Sequence, residues 1–183
     1  MGLCWVVFVL VWIIAAASTK RTVARPRNQG VYRVLWFVAF TCLFLGSPRR
    51  RTTELLARSM IPARLDLAFG GLVVVLGGLA LAFWARATLG RNWSATITLK
   101  ENHTLVQTGP YRSIRHPIYT AILLMFLGSA IAYGTAGALL AFPIAAVGFL
   151  IKARHEEALM QQHFPDVYPE YRLRTRMLVP GVY

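Results

Sequence analysis

Long apolar stretches separated by short, arginine-rich connectors dominate this chain. Five runs stand out, at residues 3–17, 34–45, 65–85, 118–133 and 136–151. Crossing a bilayer takes about 20 residues, with about 17 as the lower limit. The run at 65–85 meets that length outright. The others reach it only with their polar flanks, and 34–45 needs Tyr32, Arg33, Gly46 and Ser47 to do so. The pattern predicts an all-α integral membrane protein of about five transmembrane helices, with 34–45 the weakest span. Only Gly134-Thr135 separates the last two runs, so they form an antiparallel helical hairpin. Pro143 removes a backbone donor inside the last run and predicts a kink. In the third run Gly70-Gly71 and Gly77-Gly78, with Gly78 and Ala82 at small-xxx-small spacing, predict the close approach of a neighbouring helix.

Composition agrees with lipid as the solvent: 56% of the 183 residues are apolar and 15% are charged. That leaves room for one domain, residues 1–183. A net charge of +13 would suit nucleic acid, but the Lys and Arg residues sit at the ends of apolar runs and form no stripe interleaved with aromatics. The charge therefore reads as membrane topology, with no nucleic-acid partner. The first run ends in Ala15-Ala16-Ala17-Ser18, which looks like a signal-peptidase site. No basic region precedes it, however, and Lys20, Arg21, Arg25 and Arg27 follow, the pattern of a retained helix with its N-terminus outside. Five crossings place residues 18–33, 86–117 and 152–183 in the cytoplasm with five basic residues each, against five in the external loop 46–64. Arg49-Arg50-Arg51 in that loop run against the rule.

Several kinds of chemistry are excluded. Cys4 and Cys42, both in apolar runs, build neither a disulfide framework nor a thiolate metal site. The four His residues form no His-x-x-x-His pair or His-Glu-x-x-His motif, so no metal site is expected. There is likewise no glycine-rich loop after a strand for a Rossmann-type nucleotide site. The sequons at Asn92 and Asn102 fall on the cytoplasmic side and are accidental.

The polar residues that remain are concentrated before and after the hairpin. Ahead of it come Arg91-Asn92-Trp93-Ser94, His103-Thr104-Leu105-Val106, Gly109-Pro110-Tyr111-Arg112 and Arg115-His116-Pro117-Ile118-Tyr119; behind it come Lys152, Arg154, His155, Glu156 and Glu157. The hairpin brings both groups to the same membrane face. Singly, each has a bland reading: the arginines as interface anchors, His116-Pro117 as a helix start, the glutamates as a solvated helix end. Acidic residues near a helix C-terminus oppose its dipole, however, and Glu156 and Glu157 are two of only seven in the chain. A sulfonium or ammonium ligand would account for them.

In this order the motifs resemble the connector of isoprenylcysteine carboxyl methyltransferases and related membrane phospholipid methyltransferases. The resemblance continues through Glu156-Glu157, Phe164, Tyr168, Tyr171 and Pro180, and covers roughly the second half of the chain, a catalytic part at about 86–183. It implies an S-adenosyl-L-methionine pocket in which the connector and the C-terminal tail roof the hairpin. Implied cofactor contacts are Thr98, His103, Thr104, Leu105, Val106, Tyr111, His116, Pro117, Ile118, Tyr119, Glu156 and, to a lesser degree, Glu157. Lys152 stands where the family places the basic residue that receives the substrate carboxylate. Arg154 and Arg115 are the other candidate catalytic cations. Lys152 replaces the arginine of the eukaryotic enzymes, and Ala121 the glycine usual after Tyr-Thr.

The implied function is methyl transfer to a carboxylate of an amphiphilic, lipid-like substrate drawn from the bilayer, with the active site on the cytoplasmic side. An ionised carboxylate needs no general base, whereas an amine acceptor, as in phosphatidylethanolamine methylation, requires one such as His116 or Glu157. A non-catalytic protein whose basic loops bind anionic lipid or a partner is the reading from a different class. The sequence is silent on oligomeric state.

Overall fold

A computed structural model describes residues 1–16, 22–24, 30–47, 54–90, 99–100 and 105–179. Its helices in chain order are α1 (Gly2–Ala16), α2 (Gly30–Leu45), α3 (Glu54–Ala57), α4 (Leu65–Leu89), α5 (Pro117–Tyr133), α6 (Ala136–His163) and α7 (Tyr168–Arg174). Among the described residues the only regular strands are β1 (Thr22–Ala24) and β2 (Leu99–Lys100), which pair antiparallel. Each apolar run became a helix. On length, α4 and α6 are long and apolar enough to cross a membrane, while α1, α2 and α5 are apolar but shorter. α6 exceeds its apolar run because Lys152 to His163 continue the helix as a polar extension, and it passes unbroken through Pro143.

The five long helices alternate in direction. Arg86, buried near the end of α4, donates to the carbonyl of Ala15 at the end of α1, so those two ends lie together. At the opposite end Gly134 closes α5 in the left-handed conformation, φ 61°, which a glycine adopts without strain. Its carbonyl accepts from the backbone N–H groups of Met60 and Ile61. Thr135 then caps α6 by accepting from Ala138 N–H, and its hydroxyl donates to the Gly46 carbonyl at the end of α2. The two-residue hairpin and the 46–64 loop thus share one end, and the polar extension of α6 belongs to the other.

α4 packs chiefly on α5, and α2 on α6. The α4–α5 contact is made by residues that lack side-chain bulk: a Cβ on Gly71 would lie 2.5 Å from the Gly128 carbonyl oxygen, and one on Gly78 would lie 2.7 Å from that of Ala121. Gly70 and Gly77 face open space, so of each glycine pair only the second makes the contact. Trp5 of α1 closes the core by donating from Nε1 to Ser129 Oγ of α5 at 3.1 Å, amid Phe8, Phe40, Phe44 and Phe126.

Candidate active site

The start of α5 and the polar extension of α6 meet where the sequence placed them. His116 is the N-cap residue of α5, with Pro117 and Ile118 buried behind it and its ring stacked parallel to Tyr119 at 5.1 Å. The imidazole lies between the two glutamates of α6. Nδ1 is 3.5 Å from Glu156 Oε2, and Nε2 is 3.4 Å from Glu157 Oε1, the latter at ion-pair distance but without hydrogen-bond alignment. Successive helical residues point about 100° apart, yet both carboxylates reach this ring because it sits in the angle between them.

Each glutamate has its own cation. Tyr119 Oη donates to Glu156 Oε2 at 2.5 Å, and Lys152 Nζ, one turn earlier on α6, lies 3.7 Å from Glu156 Oε1. Lys152 is 2% exposed, with the rings of Tyr119, Trp36 and Tyr32 at 4.8, 5.0 and 5.9 Å from its ammonium. Glu157 takes Arg115 instead, whose Nε donates to Oε1 at 2.6 Å, while Arg172 Nε stands 3.8 Å from Oε2.

Arg115 is further committed to the tail. Its Nη1 donates to the carbonyls of Thr175 at 2.5 Å and Arg172 at 3.1 Å. The backbone N–H groups of Arg115 and His116 donate to the carbonyls of Arg176 and Met177, and Thr120 Oγ1 donates to that of Leu178. Tyr171 donates to the Tyr111 carbonyl at 2.8 Å, and burial pushes its hydroxyl up to about 12, which keeps it a donor at any physiological pH.

The three candidate cations therefore part company. Lys152 is buried beside Glu156, Arg115 is bound into the tail, and Arg154 is exposed on α6, outside the cluster. Arg154 faces away from Lys152, because two residues along a helix turn about 200°. Tyr111 is buried, and Leu105 and Val106 are half-buried. Thr98, His103 and Thr104 lie outside the described residues. What sequence reasoning missed is the contribution of α2, where Tyr32 and Trp36 stand one turn apart, and the grip of Tyr171, Arg172 and Thr175. The aromatic spacing at the polar end of the second run was the available signal. No group of three or more His, Cys, Asp or Glu residues suited to a metal occurs among the described residues.

Burial opposes charge on His116, but the carboxylates of Glu156 and Glu157 on either side of the ring outweigh it and raise its pKa above the ordinary histidine value. A group raised in this way contributes stability that is fully present below its unfolded pKa of about 6.5 and is lost as pH climbs through the folded value. The melting temperature of detergent-solubilised protein is expected to fall as pH rises above about 6.5. His116→Gln should flatten that slope, and an unchanged slope would mean a neutral imidazole.

Similarity to known proteins bears on the same region. A protein-S-isoprenylcysteine O-methyltransferase B of Arabidopsis thaliana is 30% identical over 122 residues, covering 61% of this chain and 58% of that protein. A nickel-cobalt-cadmium resistance protein of Alcaligenes xylosoxydans xylosoxydans is 28% identical over 170 residues, covering 91% of this chain and 71% of that one. The chain thus spans less than two thirds of the length of the plant relative. In three dimensions it matches a eukaryotic intramembrane Ras methyltransferase, an isoprenylcysteine carboxyl methyltransferase, with a TM-score of 0.57 at 20% identity, over 86% of this chain and 55% of the other. At that identity the likeness is one of fold. The profile of the phospholipid methyltransferase family matches residues 66–167, from α4 through the hairpin to both glutamates. With more than half of its length inside that match, this chain belongs to the phospholipid methyltransferase family.

Proposed function

We propose that this chain is a multi-pass, membrane-embedded, S-adenosylmethionine-dependent methyltransferase. On this reading it esterifies a carboxylate on a lipid-like substrate of the isoprenylcysteine type, at the cytoplasmic face. The observation that carries the reading is the meeting of Glu156, Lys152, His116 and Tyr119 at one end of the α5–α6 hairpin. The bilayer setting is supported by α4, only 22% buried across its most apolar window, where the core helix of a soluble protein would be mostly covered. Leu3, Val34, Phe37, Phe69 and Val73 also face outward on α1, α2 and α4.

The donor set fits the cofactor. A carboxylate among aromatic faces favours a sulfonium, as it does other soft cations. Glu156, Tyr119 and His116 would hold that end, with Tyr111, Leu105 and Val106 toward the remainder. When bound, the cofactor supplies an activated methyl group. The protein's own work is to align the acceptor, which can contribute about 7–11 kcal/mol, and to keep water from it. Lys152 supplies a positive charge in a nearly dry site and orients the carboxylate. An amine acceptor would have to lose a proton to a base, and the two glutamates that raise the pKa of His116 leave less of it neutral to accept one.

The test is the bond formed. Detergent-purified protein given methyl-labelled cofactor and a prenylated cysteine with a free carboxylate should yield label that mild base releases as methanol. Base-stable label would replace the ester by an amine product, and absence of both cofactor binding and transfer would remove the enzyme reading.

A further inference from the structure

α2 lies outside the 66–167 match to the family profile, yet it supplies two of the three rings around Lys152. A cation within about 6 Å of several ring centroids beside a carboxylate is the pattern that recognises a methylated ammonium. Here Tyr32, Trp36, Tyr119 and Glu156 form it, and the protein's own ammonium fills it. A second observation concerns Trp36. Its indole Nε1–H is buried and has no hydrogen-bond partner among the described residues. The indole edge lies over Gly148, where a Cβ would come within 2.9 Å of Cδ1 and 3.2 Å of Nε1. Gly148 precedes Lys152 by one turn on the same face of α6. An unsatisfied donor and a buried ammonium thus stand one turn apart at the α2–α6 interface, where a buried donor without an acceptor is costly.

We infer that α2 and α6 together form the acceptor subsite, in which Trp36 Nε1–H and Lys152 Nζ donate to a single carboxylate. Tyr32 and Trp36 hold Lys152 at the α2–α6 interface, where a cationic head group entering from that side meets a like charge. Its meaning for catalysis rests on the methyl-transfer reading, but the subsite itself makes claims about binding alone. An anionic acceptor satisfies both donors. An amine amphiphile, cationic at neutral pH, meets that like charge and offers the indole no acceptor. Trp36 is accordingly a binding residue for the acceptor, Tyr32 a positioning residue acting through Lys152, and the two together set the choice of carboxylate over amine.

The experiment uses the full chain in detergent and measures binding by saturation-transfer NMR. The probes are an S-prenylated N-acetylcysteine with a free carboxylate, its carboxamide, and a dimethylamino amphiphile with the same tail. The expected result is that the wild type binds the carboxylate at least about tenfold tighter than either analogue, the lower end for a hydrogen bond to a charged group. Trp36→Phe, which keeps the ring and removes the donor, should lose about tenfold for the carboxylate while S-adenosylmethionine affinity stays unchanged. Gly148→Ala, which displaces the indole edge, should reproduce that loss. Equal binding of carboxylate and amine by the wild type would overturn the inference, as would an unchanged carboxylate affinity in Trp36→Phe. Failure of the wild type to bind S-adenosylmethionine or transfer a methyl group is a separate result, and it would remove the proposed function while leaving these binding comparisons readable.

Discussion

Arg115→Met is expected to destabilise the folded protein by about 3–5 kcal/mol, the cost of removing one partner from a buried ion pair. The pair is buried on both sides, with side-chain exposures of 9% for Arg115 and 8% for Glu157. Without the guanidinium, Glu157 keeps only His116 and the more distant Arg172, and the carbonyls of Arg172 and Thr175 lose their side-chain donor. Arg115→Lys should recover little, because one ammonium cannot replace a fork that serves a carboxylate and two carbonyls at once. The double variant Arg115→Met, Glu157→Gln should recover a substantial part, since the cost lies mainly in the charge left behind. Reversible unfolding in mixed micelles is the measurement. A loss below about 1 kcal/mol in Arg115→Met would place the pair among weak surface contacts and contradict its role as a clamp.

Glu156→Gln is expected to weaken S-adenosylmethionine binding ten- to a hundredfold, as a charge-assisted contact of about 1.5–3 kcal/mol implies. Glu157→Gln should do something different. Its carboxylate is matched to Arg115, so the variant should melt at lower temperature while keeping most of its cofactor affinity. Calorimetric titration on both proteins, with thermal melts alongside, separates the two roles. Small and equal losses of affinity would return both residues to the status of a polar helix end and take the proposed cofactor site with them.

The parts of this arrangement that sequence made legible are those set by local chemistry. A two-residue gap between apolar runs permits only a hairpin, and a hairpin necessarily brings His116 and Glu156 to one end. The long-range partners carried no such mark. Tyr32 and Trp36 sit over a hundred residues before Lys152, and nothing in the periodicity of the second run says which helix it packs against. The small residues that let α2 approach α6, Gly46 against Gly137 and Gly148 beneath Trp36, have meaning only once the pairing is known. Arg115 is a candidate catalytic cation in the sequence, where it stands beside the His116-Pro117 step. Its partners are the Glu157 carboxylate and two main-chain carbonyls of the tail, and sequence cannot display the latter. Arg154 stands as another candidate cation in the sequence, and helical geometry turns it away from Lys152.

The backbone bonds from Arg115 and His116 to Arg176 and Met177 also fix an order of events. All the helices that frame the cluster are translated before the residues that fasten its entrance, so a nascent chain inserted as far as α6 holds Glu156 and Glu157 without the strap that turns them toward one imidazole. Maturation of the site therefore waits on synthesis beyond α6, and until then Arg115 lacks the carbonyls of Arg172 and Thr175 that hold it. The tail works as a late stitch of the fold, and without it Arg115 and His116 have no strap across them.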